Sequence, residues 1–458
     1  MPRLRPLAPF VLPIVVVAAS LGCERLAGID GSFQRQQGGV GGSGPSGRGG
    51  EGGAGPGLGG SGGSADGAGQ AGASGGLPAM GSGGEAGAGS GVKITVLASG
   101  QDNVREMTSD GNTLFWVMAG TEANGFNDGK VLSCSTNGCN DKPTVIASEQ
   151  QKPEHIARAD ENLVQLPDSS FWSGQIYWTN TLGGTVLRCP KNTCQQPVLV
   201  AEGQVGPAGL GVSASEVSSI GNPAGQPYIY WAATGEDKVN ACQLDQAGPC
   251  TDATTTVLTD AAEPSEPAAP GPTSLITGRS YVYWLTPGTT EAGGRNGHLY
   301  RYRKNPGPAP SRPPGERRLF AMANDLHRPA HFALQSSLLY VTALGATGAP
   351  PSEPTLWLAN PTGVDGSDDQ VRPFVSSPSF SALTVTYNAA YWTANGTLYA
   401  CPPNGCPDTG PVEVAPGLGA VALSNESGNS GTTADVLYAV KDRSVIKIQI
   451  PVSIFETP

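Results

Sequence analysis

A repeated pair of neighbouring residues, an aromatic or Leu side chain followed by Trp or Tyr, constrains the fold of this 458-residue chain more than any other feature. The clearest copy reads Gln-Ile-Tyr-Trp-Thr-Asn, continues through a Gly-Gly turn and ends in Thr-Val-Leu-Arg-Cys. Aromatic and β-branched runs on both sides of such a turn indicate two paired strands. The copies are Phe115-Trp116, Tyr177-Trp178, Tyr230-Trp231, Tyr283-Trp284, Leu339-Tyr340, Tyr391-Trp392 and Leu437-Tyr438.

The spacing of the copies, roughly 50 residues, is typical of repeat proteins built from four-stranded sheets. The strand runs are apolar at consecutive positions, which indicates sheets covered on both faces. Residues 93–98 have the pattern of a fourth strand without its three partners, whereas residues 419–450 supply three strands without a fourth. Pairing these two segments would leave no open edge. We therefore predict an all-β, seven-bladed β-propeller over residues 92–458, closed by an N-terminal strand.

The first 91 residues differ in composition from the rest of the chain. Arg3 and Arg5 precede an apolar run over residues 8–19 that is too short to span a bilayer and is typical of an export signal. Residues 23–37 form a polar spacer. Glycine makes up about half of residues 38–91, a composition that cannot bury enough apolar surface to fold. We predict that this segment is a disordered linker.

The segment Ser20-Leu21-Gly22-Cys23 resembles the lipobox of bacterial lipoproteins, although Ser20 stands where that family usually has Leu. The resemblance implies a signal peptide over residues 1–22 and a lipid anchor on Cys23 that holds the protein to the outer membrane or the cell surface. An ordinary secretory signal, with Cys23 as a free thiol, is the alternative. We favour lipidation because the chain has no second apolar anchor.

The other eight cysteines form local pairs along the chain. Three pairs have a four-residue gap and lack the CxxC spacing and neighbouring His residues of a zinc site, so we predict disulfides formed in an oxidising compartment. The expected pairs are Cys134 with Cys139, Cys189 with Cys194, Cys242 with Cys250, and Cys401 with Cys406.

The copy Tyr177-Trp178-Thr179-Asn180 resembles the motif of YWTD-type extracellular propellers, with Asn180 in place of Asp. That family has six blades and shorter repeats. The resemblance therefore implies a propeller shape and an extracytoplasmic location, and it implies no ligand.

The innermost strand of each propeller blade begins at the mouth of the central channel. Alignment of the repeats places Glu106, His155, Gly209, Ser274, His331, Ala382 and Gly419 at this position. Of these, Glu106, His155 and His331 have side chains suited to proton transfer or metal binding. We favour a structural role, in which each His caps a strand end through a backbone hydrogen bond, over a role as general base.

Long loops between the second and third strands reach the same face of the ring, where repeat scaffolds commonly carry binding residues. The candidate binding residues are Glu122, Asn124, Asp128, Glu236, Asp237, Glu291 and Arg295. Glu122, Asn124, Asn127 and Asp128 are of types that bind hard cations, but their spacing does not match an EF-hand loop, and we predict no metal site.

The net charge and the absence of certain motifs argue against several classes of function. The formal net charge of −11 disfavours binding to nucleic acids, and the sequence has no phosphate-binding loop and no nucleophile motif. We predict a monomeric binding or scaffold module for a protein, glycan or cell-envelope partner, without a cofactor. The alternative is a lyase or hydrolase with His155 or His331 as general base near Glu106, suggested by a resemblance in shape to streptogramin-lyase propellers, which are seven-bladed and use a His.

Overall fold

The computed structural model describes residues 91–455 except for 160–173, 193, 215–226, 245–248, 252–253, 259–270, 279–280, 289–296, 305–317, 320–325, 337, 346–352, 361–369, 419–421 and 426–432. The expected signal peptide, Cys23, the polar spacer and the linker up to residue 90 lie outside this range. Within the described part of the chain, no helix combines the length and the apolar character that a membrane span requires.

The described residues form seven four-stranded antiparallel sheets. Strand β1 is Lys93–Ala98. Blade one contains β2 (Val104–Ser109), β3 (Thr113–Met118), β4 (Gly129–Ser135) and β5 (Thr144–Gln150). Blade two contains β6 (Pro153–Arg158), β7 (Gln175–Asn180), β8 (Thr185–Pro190) and β9 (Val198–Ala201). Blade three contains β10 (Pro207–Ala214), β11 (Pro227–Ala233), β12 (Lys238–Gln243) and β13 (Thr255–Val257).

The remaining blades repeat this order. Blade four contains β14 (Ser274–Thr277), β15 (Tyr281–Thr286), β16 (His298–Arg303) and β17 (Arg318–Leu319). Blade five contains β18 (Pro329–Gln335), β19 (Leu338–Ala343), β20 (Thr355–Asn360) and β21 (Gln370–Ser376). Blade six contains β22 (Ala382–Val385), β23 (Ala390–Ala394), β24 (Thr397–Cys401) and β25 (Val412–Ala415). Blade seven contains β26 (Leu423–Asn425), β27 (Ala434–Lys441) and β28 (Ser444–Pro451), and β1 is its fourth strand.

The ring is closed by the two ends of the domain. Strand β1 pairs antiparallel with β28, and Thr95 lies opposite Lys447. The innermost strands contact one another in the circular order β2, β6, β10, β14, β18, β22, β26 and back to β2. Both observations confirm the predicted all-β, seven-bladed propeller with an N-terminal closing strand.

Two faces of the ring are distinguished by what they carry. The rim face carries the starts of the innermost strands, the loops between second and third strands, and the connectors between blades. The opposite face carries the other hairpin loops. Strand β1 begins on the opposite face, because Lys93 pairs with Gln449 near the end of β28, whereas Ala98 pairs with Val445 near its start. The chain therefore enters the propeller on the face away from the rim.

Both members of each aromatic pair are buried because the blades pack face to face. Tyr177 packs in one cluster with Trp231 of blade three, and Trp178 packs in another with Phe115 of blade one. All four side chains are at most 1% exposed. Consecutive apolar residues are therefore required on the second strand, as the sequence pattern indicates.

The predicted repeat alignment was wrong by one residue in blades five and seven. Tyr340 packs with Trp392, as the first member of a pair does, and Val341 lies opposite Phe332 at the position where blades one to four and blade six have Trp. In blade seven, Tyr438 packs with Trp116. A single aromatic residue thus takes the first position of the pair, and the sequence offered no second aromatic to fix the register. The structural counterparts of Tyr-Trp are Tyr340-Val341 and Tyr438-Ala439.

The rim position of blade seven also differs from the prediction, by three residues. Leu423 lies opposite Ala439, so Ala422, directly before β26, is the counterpart of Glu106 and His155. The predicted residue, Gly419, lies outside the described residues.

A glutamine at the end of the preceding blade's outermost strand, or in the connector after it, fixes the buried Trp of each of the first three blades. Gln150 Oε1 accepts hydrogen bonds from Trp178 Nε1 at 2.9 Å and from Asn180 Nδ2 at 3.1 Å. Gln101 accepts from Trp116 Nε1, and Gln204 accepts from Trp231 Nε1. These bonds satisfy indole donors that water cannot reach.

The four expected disulfides are present, with Cα–Cα distances from 4.7 to 6.1 Å. Each links the end of a third strand to the loop that follows it, and that loop packs on the preceding blade. Cys139 Sγ lies 3.3 Å from the Leu97 carbonyl oxygen, and the Ser99 N–H donates to Asp141 at 2.9 Å. The Cys134–Cys139 disulfide therefore fixes a loop against the closing strand. The four disulfides indicate an oxidising, extracytoplasmic compartment.

Candidate functional site

The rim positions are displaced from regular strand geometry. The ladders of β2, β6, β10 and β18 are irregular at Val104/Met107, Pro153/His155, Ala208/Leu210 and Pro329/Phe332. These irregularities lie at or beside Glu106, His155, Gly209 and His331. An extra residue in one strand changes the direction of its side chains, so it allows polar groups at these positions while the following residues stay in the core.

The structure brings Glu106 and His155 together across the junction of blades one and two. His155 Nδ1 lies 3.2 Å from Glu106 Oε2, and the same oxygen accepts a hydrogen bond from the Ile156 backbone N–H at 2.8 Å. The side chains are 24% exposed for His155 and 44% exposed for Glu106. Because Nδ1 is held by the carboxylate, contact of the His155 ring with a bound molecule would involve Nε2.

The two His residues of the rim have opposite pKa shifts. Burial alone would lower the pKa of His155, but the hydrogen bond and the charge of Glu106, with the charge of Glu154, outweigh it and raise the pKa. Burial lowers the pKa of His331, whose neighbouring rim residue in blade four is the uncharged Ser274. His155 and His331 are three blades apart on the ring and do not share Glu106. Of these two His residues, only His155 contacts a carboxylate among the described residues.

The expected capping role of the His side chains is filled by threonines. The His155 backbone N–H donates to Thr179 Oγ1 at 3.3 Å, and the His331 backbone N–H donates to Thr342 Oγ1 at 3.0 Å. The imidazole of His155 instead contacts Glu106 Oε2, which also accepts from the Ile156 N–H of the same strand.

The other described rim positions carry no ionisable group. A Cβ at Gly209 would lie 2.5 Å from the backbone nitrogen of Leu275, so a glycine is needed for β10 and β14 to approach this closely. Ser274 and Ala382 are small and uncharged. Ionisable rim groups are thus limited, in the described part of the ring, to blades one, two and five.

The loop of blade one is held from within by Asp128. Its carboxylate accepts hydrogen bonds from the Thr121 backbone N–H at 2.7 Å, Thr121 Oγ1 at 2.9 Å and Asn124 Nδ2 at 2.8 Å. The Thr121 N–H and the Asn124 amide lower the pKa of Asp128 to about 2. Asp128 and Asn124 therefore bond each other, while Glu122 lies exposed on the same loop. Among the described residues, no group of three or more His, Cys, Asp or Glu side chains is arranged to hold a metal ion.

The remaining candidate binding residues lie in two other loops. Glu236 is in the loop of blade three, where its Oε2 lies 3.3 Å from Lys238 Nζ. Asp237 follows it in the left-handed conformation, with a φ of 53°. Glu291 and Arg295 lie outside the described residues.

The structure also shows rim residues that the sequence interpretation missed. Backbone hydrogen bonds join the loops of blades one to three through the connectors between blades, and we call the resulting surface the rim belt. It consists of residues 121–128, 150–152, 181–184, 204–206 and 234–237. Leu182 and Val205 lie within it and are 58% and 53% exposed. The sequence did offer a signal for these two residues, because each is an apolar residue close to a glycine turn.

No protein-family model matches the sequence, and no curated protein matches it. Among solved structures, a chain of the nidogen/laminin complex is 13% identical, with 68% of this chain and 89% of that chain covered and a TM-score of 0.37. A catalytically inactive variant of virginiamycin B lyase from Staphylococcus aureus with quinupristin is 10% identical, with 78% and 99% covered and a TM-score of 0.48. The AfRom2 CNH domain is 11% identical, with 78% and 98% covered and a TM-score of 0.43.

Proposed function

We propose that the protein is a lipid-anchored, extracytoplasmic binding or scaffold module that engages a cell-envelope partner through its rim face. The observation that carries this proposal is the rim belt, in which the loops of three successive blades are joined into one ordered surface with exposed apolar side chains. A surface that is ordered before binding loses little conformational entropy when a partner docks. The −11 charge of the chain adds selectivity against acidic partners.

The proposed attachment fits the geometry of the ring. A signal peptide of residues 1–22, lipidation of Cys23 and a linker over residues 38–91 would tether the propeller to a bacterial membrane. Because β1 starts on the opposite face, this tether would join the propeller away from the rim. The rim face would then be unobstructed by the attachment point.

The proposal is tested by capture from separated cell-envelope proteins and from a glycan array, using the full chain. The test variant reverses the charge of Glu122 and Glu236 to Lys, and the control reverses Glu413, an exposed residue of β25 outside the rim belt. We expect the control to capture the same partner as wild type and the test variant to lose it. Equal capture by wild type and by both variants would reject a role for the rim loops.

A second function, general-base catalysis, is supported by one observation, the 3.2 Å contact between Glu106 and His155. A carboxylate on Nδ1 orients an imidazole so that Nε2 can accept a proton. The test is a panel of ester, lactone and polysaccharide substrates with the variants His155→Gln and His331→Gln. Catalysis at His155 predicts an activity that His155→Gln abolishes and that rises with pH through the raised pKa of His155. Activity that persists in His155→Gln would reject this function.

A further inference from the structure

The rim belt is one hydrogen-bonded surface. The loop of blade one meets the first connector through the Lys152 N–H, which donates to Phe126 O at 2.8 Å. That connector meets the loop of blade two, because the Thr181 N–H donates to Lys152 O at 3.0 Å. The second connector meets the loop of blade two, because the Gln204 N–H donates to Gly184 O at 3.0 Å, and it meets the loop of blade three, because the Gly235 N–H donates to Val205 O at 3.0 Å. The belt is therefore fixed by the backbone, so substitutions of its exposed side chains should leave its shape intact.

Two apolar side chains stand out from the middle of this surface. Leu182 is two residues before Gly184, and Val205 follows Gln204, so the Gly184–Gln204 hydrogen bond holds their segments together. A Cβ at Gly184 would lie 2.7 Å from Gln204 O, and Gly184 has a φ of 60°, so glycine is required for this close approach. The backbone thus holds two exposed aliphatic side chains on adjoining segments.

The charges around the two aliphatic residues are unbalanced. Lys152 and Lys238 form ion pairs with Glu154 and Glu236, at 3.2 and 3.3 Å. The carboxylates of Glu122, in the belt, and of Glu202, two residues before the 204–206 segment of the belt, are exposed, and no described residue forms an ion pair with either of them. The belt therefore combines an aliphatic centre with flanking negative charge, and a complementary partner is apolar in the middle and basic at its ends.

We propose that the rim belt is the docking surface for a basic protein segment that packs an aliphatic side chain on Leu182 and Val205 and directs Lys or Arg toward Glu122 and Glu202. This inference rests on the proposed function and specifies the partner as a protein. Truncation of the apolar contacts slows association little and speeds dissociation, whereas reversal of the flanking charges lowers the association rate and its dependence on salt.

The test uses a library of displayed random peptides, selected on the full chain immobilised at its C-terminus. The belt variants are Leu182→Ser with Val205→Ser, and Glu122→Lys with Glu202→Lys. The matched control is Tyr387→Ser, because Tyr387 is 61% exposed and lies in a hairpin loop of the opposite face. Thermal melting checks that each variant is folded. Since all five side chains are exposed, their melting temperatures should equal that of wild type.

The expected peptides contain an aliphatic residue flanked by Lys or Arg. They should bind both belt variants at least tenfold more weakly than wild type, bind Tyr387→Ser unchanged, and lose at least tenfold in affinity as salt rises from about 50 to 500 mM. Peptides that bind the folded belt variants as well as wild type would overturn the inference. If those peptides no longer bind the double variant Glu106→Gln with His155→Gln, they bind elsewhere on the rim face. The proposed rim-face function then stands, and only the assignment to the belt is wrong. A selection that yields no peptides, or only peptides sensitive to Tyr387→Ser, would also overturn it, and the envelope-capture experiment then decides the proposed function independently.

Discussion

Replacing Gln150 by Leu removes the acceptor that holds blade two to the preceding connector. Gln150 Oε1 accepts from Trp178 Nε1 and Asn180 Nδ2, and Trp178 and Asn180 are 0% and 5% exposed. The substitution keeps the size of the side chain but leaves the Trp178 indole N–H and one of the two Asn180 amide N–H groups without an acceptor, while the Asn180 amide keeps its bond to Thr185 Oγ1. A buried donor left unsatisfied costs about 1–3 kcal/mol, so we expect the free energy of unfolding to fall by about 2–5 kcal/mol.

This loss converts into a measurable change of the melting temperature. The entropy of unfolding is about 2.1 cal/mol/K per residue, which gives about 0.75 kcal/mol/K over roughly 360 residues. A loss of about 2–5 kcal/mol therefore lowers the melting temperature by about 3–7 °C. Differential scanning calorimetry of the full chain measures this shift, and a urea titration measures the free energy itself.

The neighbouring Gln151 supplies a matched control, because Gln151 is exposed and its side chain makes no hydrogen bond to a described residue. Gln151→Leu should leave the melting temperature within about 1 °C of wild type. In a Trp178→Phe background, where the indole donor is absent, Gln150→Leu should cost about 1–2 kcal/mol less than in wild type. Equal melting temperatures for Gln150→Leu and Gln151→Leu would show that the hydrogen bonds accepted by Gln150 do not stabilise the fold.

Three further predictions concern the two rim His residues, the loop of blade one and the disulfide beside the closing strand. In NMR titrations the pKa of His155 should lie above 6.5 and that of His331 below it, and Glu106→Gln should lower the former alone. Because the folded-state pKa of His155 is raised, the stability that its contact with Glu106 contributes is complete below pH 6.5 and is lost as the pH rises through the folded-state pKa. The free energy of unfolding of wild type should therefore exceed that of Glu106→Gln by more at pH 6 than at pH 9. A larger difference at pH 9 would contradict this. Asp128→Ala should speed amide exchange at Thr121 without affecting exchange at Tyr177, and unchanged exchange at Thr121 would show that the carboxylate does not hold the loop. Joint replacement of Cys134 and Cys139 by Ala should lower the free energy of unfolding by about 2 kcal/mol. It should also increase amide exchange in residues 93–98 more than replacement of Cys401 and Cys406 by Ala does. Equal exchange in the two variants would argue against a role of the Cys134–Cys139 disulfide in holding the closing strand.

The sequence was sufficient for the architecture because the fold repeats a simple physical requirement. Each second strand is covered by blades on both sides, so Tyr177 and Trp178 must both be apolar, and this pattern recurs at the blade spacing. The disulfides were predictable for a similar reason: Cys134 and Cys139 are close in sequence and belong to one hairpin. Where a blade carries one aromatic residue, as at Tyr340, the same pattern fits two registers, and only packing against Trp392 decides between them.

The candidate site was less predictable because it depends on contacts between blades. Glu106 and His155 are 49 residues apart, and their contact depends on strand irregularities that move both residues to the junction of two blades. Alignment placed both residues at the rim but could not show that they meet. The glutamine acceptors did have a sequence signal, since Gln150 and Gln204 each stand three residues before the Pro that starts an innermost strand.

A cross-link between the two ends of the domain would establish whether the ring is closed. Thr95 lies opposite Lys447 in the pairing of β1 with β28, so Thr95→Cys with Lys447→Cys should form a disulfide that peptide mass spectrometry detects. A control places the second Cys at Glu413, on the outer strand of blade six, and should form none. A Thr95–Lys447 cross-link without the control cross-link is the result we predict. A cross-link to position 413, or none to position 447, would contradict the closed ring and with it the rim face and both proposals built on it.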